Sequence, residues 1–97
     1  MEKFVQEDRI IVCMEGKVDS SNYAEIEKEM LAICKDNPDK KIIVDVERLR
    51  YISSIGVRIL IRMRKMHKNL EIVQLSDGLY KILTMTGLNQ IIPMQKK

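Results

Sequence analysis

The hydrophobic pattern of the chain opens with short runs of β-forming residues. Residues 3–6 and 9–15 are two such runs, separated by an acidic pair, and they predict a hairpin that ends at Gly16. Residues 41–46 are almost all apolar and β-branched, which is typical of a short strand buried on both faces. Residues 70–75 tend to alternate between apolar and polar positions, which indicates a fourth strand.

The segments between these runs follow the helical period instead. Asn22 and Glu25 fit a capping box at the start of the first helix, and Pro38 ends it. Ser76 can cap a short third helix, and Gly87 stands where a helix commonly ends. Apolar residues at helical spacing predict one buried stripe for each helix: Tyr23, Ile26, Met30 and Ile33; then Ile55, Ile59, Met63 and Met66; then Leu79, Ile82 and Leu83.

The resulting order of elements is β-β-α-β-α-β-α-(β). The last strand is bracketed because Pro93 restricts residues 91–94 to an edge strand or an extended tail. Strands that alternate with helices predict an α/β fold with parallel pairing and right-handed crossovers. At 97 residues the chain has room for a single domain, residues 1–97, around one core.

The composition excludes several classes of protein. Hydrophobic residues make up 45% of the chain and charged residues 32%, so it is expected to fold rather than to be disordered. The longest apolar runs are only a few residues, whereas a membrane-spanning helix needs about 20. Early acidic residues, Glu2, Glu7 and Asp8, do not fit a secretion signal. We therefore expect a cytoplasmic protein that has no membrane partner.

Charge is distributed unevenly along the chain. Residues 1–50 carry nine basic and twelve acidic side chains, while residues 51–97 carry eight and two, so the second half is strongly basic. In the second helix, Arg58, Arg62 and Lys65 form a basic row beside the apolar stripe. This row either meets phosphates or an acidic partner, or it is simply a solvated helix face.

The two cysteines, Cys13 and Cys34, fall in different predicted elements. They have neither CxxC spacing nor a neighbouring histidine, so no metal site is predicted. Free cysteine behaves as a small and often buried hydrophobe. We interpret both as reduced core residues.

No catalytic set is visible in the sequence. His67 is the only histidine, and a rise of about 1.5 Å per residue places it roughly 20 Å from Ser53 and Ser54 along one helix. We expect this histidine at the surface, where a helix C-terminus favours a partly positive ring. The four glycines are too scattered for a nucleotide-binding loop. The sequence therefore predicts a protein that is not an enzyme and that binds no cofactor.

The strongest local signal is LRYISSIG at residues 49–56, which predicts a strand, a short turn and the start of a helix. One serine suffices as an N-cap, so two serines leave one hydroxyl free. A phosphate on the free hydroxyl would lie at the positive end of a helix, where negative charge is tolerated. Asp19 is expected to cap or turn the chain, and in a parallel sheet it could lie at the same edge as the loop before Ser54.

Four segments together resemble the STAS domain of bacterial anti-sigma factor antagonists over nearly the whole chain. Residues 16–19 look like the family's glycine-to-aspartate entry to the first helix, and residues 43–46 look like the strand before its phosphorylation loop. Residues 51–56 fall on that loop, and residues 79–88 are similar to its last helix. The resemblance implies a mixed sheet of four to five strands with three to four helices packed mainly on one side.

The resemblance also implies which residues form the site. Counting from Asp45 and Gly56 places the phosphorylated serine at Ser54, with Ser53 as the second choice. Ser53 replaces the family's usual aspartate, and Ile55 replaces its second serine or threonine. The implied partner-binding residues are Asp19, Ser53, Ser54, Ile55, Gly56, Arg58 and Arg62.

The implied function is that of a switch. The unmodified protein would bind an anti-sigma factor, a serine kinase with a GHKL-type ATPase fold, and so release a sigma factor. Phosphorylation would break that complex, and a metal-dependent serine phosphatase would restore it, with the switch protein a monomer or weak dimer. The alternative is an unphosphorylated scaffold subunit of a larger stress-sensing or lipid-transport assembly. Nucleic acid is not an expected partner, because Tyr51 is the only aromatic residue in the basic region.

Overall fold

The elements follow the predicted order, with a short 3₁₀ turn before the last strand. A computed structural model describes all residues, Met1–Lys97. The elements are β1 (Glu2–Val5), β2 (Arg9–Val18), α1 (Tyr23–Asp36), β3 (Lys41–Ile52), α2 (Ser54–Met66), β4 (Leu70–Leu75), α3 (Asp77–Met85), the 3₁₀ turn (Leu88–Gln90) and β5 (Met94–Lys96).

The five strands form one mixed sheet in the order β1-β2-β3-β4-β5. The hairpin strands β1 and β2 are antiparallel, and every later neighbour is parallel. The three crossovers all step in the same direction across the sheet, so right-handed connections place α1, α2 and α3 on one face. The predicted α/β class, pairing and helix placement are confirmed.

Successive side chains along each strand point to opposite faces of this sheet, and the two faces differ in burial. Val12, Val44 and Ile72 form one row across β2, β3 and β4 and are 0% exposed beneath the helices. Burying each such side chain stabilises the fold by about 2 kcal/mol. The next row, which includes Cys13 and Asp45, lies on the opposite face and is only half-buried. The helix-covered face therefore carries most of the core.

The prediction that both cysteines are core residues is correct for one and wrong for the other. Cys34 on α1 is buried within the main hydrophobic cluster, and burial raises the pKa of its thiol to about 11. Cys13 is half-buried and outside that cluster, because its strand position points to the face without helices.

The predicted helical stripes are correct for six buried residues and wrong for Met66 and Ile82. Met30, Ile33, Ile59 and Met63 are buried, as are Leu79 and Leu83. Met66 and Ile82 are about half exposed, at 49% and 51%. Met66 is the last residue of α2, and α3 packs through a narrower face than its sequence suggested.

Strand β3 is twice as long as predicted, since it continues from Lys41 to Ile52. Its second half pairs only with β2, through registers that end at Val18 and Ile52, and two bulges bend it. The partner strand β2 passes through Gly16 instead of ending there, and Gly16 adopts a φ of +70° at the second bulge. Pairing between these two strands overrides the polar character of residues 47–51.

The capping box predicted for α1 does not form. Asn22 occupies the N-cap position, but its side chain makes no capping hydrogen bond. Its Oδ1 accepts from the Asp19 N–H at 3.0 Å, and its Nδ2 donates to the Lys17 carbonyl at 2.7 Å. The amide therefore stabilises the turn between β2 and α1 rather than the helix itself.

His67 is buried, which corrects the expectation of a surface residue. The residue is 3% exposed, and it is the one polar or charged residue in the buried set. The Asn69 N–H donates to Nδ1 at 3.2 Å, so Nε2 carries the proton and donates to the Asn37 carbonyl at 3.0 Å. His67 thus links the segment after α1 to the segment after α2.

The helices are also short relative to a bilayer. None combines the length and the apolar character that crossing a membrane requires.

Candidate partner-binding and phosphorylation site

The two serines between β3 and α2 have different structural roles. Ser53 is the N-cap: its backbone is extended, its Oγ accepts from the Gly56 N–H at 3.4 Å, and its carbonyl accepts from the Val57 N–H at 3.0 Å. Ser54 is the first helical residue, and it is exposed. The cap therefore occupies one hydroxyl and leaves the other at the surface, as two adjacent serines predicted.

Gly56 allows the first turn of α2 to approach the sheet closely. A Cβ at this position would lie 2.5 Å from Ile52 Cγ1 and 2.9 Å from Val18 Cγ1. Real Cβ atoms do not come this close, so with any larger residue either the Ile52 and Val18 side chains or the start of α2 must shift. Gly56 therefore determines how close the start of α2, and with it Ser54, lies to the sheet.

Asp19 lies at the same edge of the sheet as Ser53 and Ser54, as expected for parallel strands. The Ser53 N–H donates to the Val18 carbonyl at 2.9 Å, which joins the two loops. The Asp19 carboxylate, however, is engaged within its own loop, where it accepts from the Ser21 Oγ at 2.5 Å and the Ser21 N–H at 2.9 Å. These bonds, the hydroxyl bond foremost, lower the pKa of the carboxyl.

The predicted basic row is divided by an internal ion pair. Arg62 binds Glu27 of α1 through a 3.0 Å contact, so part of its charge holds α1 and α2 together. Arg58 and Lys65 are exposed and take part in none of the four salt bridges. Ile55, between the serines and this row, is half-buried. Arg58 and Lys65 remain available to a partner.

Two apolar residues of α3 are exposed, although the helical period had predicted Ile82 to be buried. Ile82 is 51% exposed and Met85 is 78% exposed. Since α3 follows β4, it begins at the same edge of the sheet as α2. Met85 lies beside Tyr80, Lys81 and Lys96, on the side of α3 that faces β5.

A large polar cleft lies elsewhere on the molecule. It has a volume of about 840 Å³ and is lined mainly by polar side chains around the second half of β3: Glu15, Glu47, Arg48, Arg50, Ser76 and Lys97, with Gly16 and Leu49. Neither serine of the site lines it. This polar cleft is therefore separate from the serine loop.

The family assignment follows from the whole chain. The family model described as the STAS domain matches residues 2–97. The chain belongs to the STAS domain family. Its sheet order, its helix-covered face and the serines at the start of α2 are thereby parts of a STAS domain, as the resemblance of the four segments implied.

Two proteins that are similar to this STAS domain are named anti-sigma factor antagonists. BtrV of Bordetella bronchiseptica, named as a candidate anti-sigma factor antagonist, is 29% identical over 89 residues, which are 88% of this chain and 76% of BtrV. An anti-sigma factor antagonist from Mycobacterium paratuberculosis is similar in structure, with a TM-score of 0.88 and 17% identity, over 99% of this chain and 84% of that one.

The phosphorylated form of the Bacillus cell fate determinant SpoIIAA also superimposes on this STAS domain. Its TM-score is 0.71 with 16% identity, over 96% of this chain and 88% of SpoIIAA. At such low identity the two solved structures show a shared fold and no more.

Proposed function

We propose that this STAS domain is an anti-sigma factor antagonist that is switched by phosphorylation of Ser54. In its unmodified form it binds an anti-sigma factor, a serine kinase of the GHKL type, and thereby releases a sigma factor. The observation that carries the proposal is the division of roles between the two serines. Ser53 is used as the helix cap, and Ser54 is exposed at the first turn of α2.

The physical basis of the switch is charge at an interface. A phosphate adds a charge of about −1.5 to −2 and three acceptor oxygens. The start of α2 tolerates this charge because free N–H groups and the helix dipole favour an anion there. A partner seated over Ser54 would have to desolvate it, and a cost of about 3 kcal/mol would weaken binding on the order of 100-fold.

The partners supply the catalysis in this proposal. The kinase transfers the phosphoryl group, and a metal-dependent serine phosphatase removes it. The chain itself is a substrate and binding partner in this proposal rather than an enzyme. The two hydrogen bonds of its only histidine, His67, which lies beyond the far end of α2, support that role. We place this single-domain switch in the cytoplasm, where sigma factors act, and without nucleic acid or membrane as a partner.

A second candidate function rests on one departure from the family pattern. Ser53 stands where the family commonly has an aspartate beside the modified serine. Without that acidic neighbour, the domain could serve as a constitutive scaffold subunit in a stress-sensing or lipid-transport assembly. Such a scaffold would bind its partner equally well before and after exposure to kinase and ATP.

Phosphopeptide mapping tests the proposal directly. The kinase is first identified by co-purification and mass spectrometry, and the pure protein is then incubated with it and ATP. We expect modification at Ser54 and none in the Ser54→Ala variant, while Ser53→Ala still accepts phosphate. Modification only at Ser53 would assign the wrong residue, and modification at neither serine would favour the scaffold.

A further inference from the structure

The spacing of Ser54 and Arg58 on α2 suggests a further role for the arginine. We propose that Arg58 holds the phosphate on Ser54 within the same molecule. Phosphorylation would then withdraw Arg58 from the partner surface in addition to adding negative charge. The inference rests on the proposed modification of Ser54 and concerns what the protein itself does with the phosphate.

Helix geometry places the two side chains together. Ser54 is the first residue of α2 and Arg58 follows four residues later, so they share one face with Cβ atoms about 5–6 Å apart. Helical side chains lean toward the N-terminus, which directs Arg58 over the turn that starts at Ser54. An acidic group four residues before a basic one is also the favourable orientation.

Arg58 is the one residue of the basic row that lies one helical turn from Ser54 and forms no salt bridge. It is exposed and forms no salt bridge in the unmodified protein. Arg62 is a further turn away and already binds Glu27 at 3.0 Å. Lys65 lies eleven residues after Ser54, about 16 Å along the helix axis.

Other charged groups near the serine loop do not offer the same arrangement. Asp19, in the adjoining loop, would repel a phosphate and is bonded to Ser21. Lys17 belongs to β2, where it pairs in register with Tyr51, and Arg50 is an exposed residue of β3. Arg50 is four residues before Ser54 along an extended strand, about 13 Å in chain length, and serves as a control for general basic charge.

The pairing changes what a partner meets at this surface. A guanidinium binds two phosphate oxygens at once, which makes the pair stronger than one with lysine. In the unmodified state the helix start presents the free positive charge of Arg58. After modification the phosphate neutralises the charge of Arg58 and part of the negative charge of the phosphate remains. The net charge of the surface at the helix start then changes from positive to negative.

The test uses the full chain with phosphoserine installed at position 54 by genetic encoding. The second ionisation of the phosphate is followed by ³¹P NMR as a function of pH, at low and at high salt. Loss of the neighbouring cation disfavours the dianion, so we expect the pKa of the phosphate to be about 0.5 higher in Arg58→Gln than in the parent at low salt. High salt should reduce this difference.

Arg50→Gln and Lys65→Gln are the matched controls, since each removes one exposed positive charge. Both should leave the pKa of the phosphate within about 0.1 of the parent value. An identical pKa in Arg58→Gln and the parent, or an equal rise in a control, would overturn the proposal. Because neither kinase nor partner is used, this result is separable from the proposed switch, which phosphopeptide mapping and binding decide.

Discussion

Gly56 and Ile52 are so close that a single methyl group does not fit between them: a Cβ on Gly56 would lie 2.5 Å from Ile52 Cγ1. The neighbouring Val18 side chain closes the same space from β2, at 2.9 Å. The contact involves the last residue of β3 and the first turn of α2, and so couples the core to the serine loop.

We expect Gly56→Ala to lower the free energy of unfolding by about 1–3 kcal/mol, because the Ile52 and Val18 side chains or the helix start must shift to admit the methyl group. Gly78 on α3 is the matched control, since a Cβ there meets nothing within 4 Å. Gly78→Ala should be neutral or stabilising by up to about 1 kcal/mol. Urea unfolding of both variants measures the difference, and equal stabilities would show that the start of α2 adjusts freely.

Replacement of His67 should destabilise the protein although the residue is far from the proposed site. His67→Ala removes a buried ring and leaves the Asn37 carbonyl and the Asn69 N–H without their partner. We expect a loss of about 2–4 kcal/mol in denaturant unfolding. Met66→Ala, at the adjacent exposed position, should change stability by no more than about 0.5 kcal/mol. A similar loss in both variants would contradict the structural role of the ring.

The two serines should respond differently to substitution. Ser53→Ala loses the cap and should cost about 1 kcal/mol of stability, whereas Ser54→Ala should cost little. Ser54→Ala should still bind the anti-sigma factor but resist phosphorylation. Ser54→Asp should fold normally, because an acid suits a helix start, and should bind weakly.

Thermal melting and titration calorimetry of these serine variants supply the measurements. Undiminished binding by Ser54→Asp would argue against a charge-based switch. A larger stability loss for Ser54→Ala than for Ser53→Ala would reverse the structural assignment of the two hydroxyls.

We expect the buried thiol of Cys34 to cause a loss of stability at alkaline pH. Burial raises the pKa of its thiol to about 11 in the folded protein, while an unfolded thiol titrates near 9. Between these values the unfolded chain has released its proton and the folded protein has not, so stability falls as pH rises from about 9 to 11. Below pH 9 this contribution is fully retained.

A Cys34→Val variant isolates the contribution of this thiol from that of other alkaline groups. Its stability should decline less steeply than that of the parent between pH 9 and 11 in urea titrations. Parallel curves for the two proteins would show that Cys34 is not the group responsible.

Residues of the basic row that form no salt bridge should speed association with the anti-sigma factor. Arg58→Glu and Lys65→Glu should each slow association with the anti-sigma factor and reduce its salt dependence. Arg62 is held by Glu27, so Arg62→Gln should act mainly on stability. Stopped-flow binding at several salt concentrations separates these effects. Unchanged kinetics in the two charge-reversal variants at low salt would mean that the row is only a solvated face.

Much of the fold follows from local rules that the sequence expresses directly. Ser53 and Ser76 cap their helices because an N-cap bond spans only three residues, 3.4 Å at Gly56 and 3.1 Å at Leu79. The order of elements was predictable for the same reason, since side-chain period distinguishes strand from helix within a few positions. The family resemblance was carried by the same short segments.

Other features depend on residues that are distant along the chain. The Asn37 carbonyl accepts a hydrogen bond from His67, and Glu27 binds Arg62, yet neither partner is identified by spacing within one element. The second half of β3 is a strand because β2 pairs with it, although its own residues are largely polar and exposed. The sequence by itself therefore determined the elements, their order and the serine pair at a helix start. Only the tertiary structure decided which arginine is free and which face of α3 is uncovered, because these depend on contacts formed when separate elements pack together.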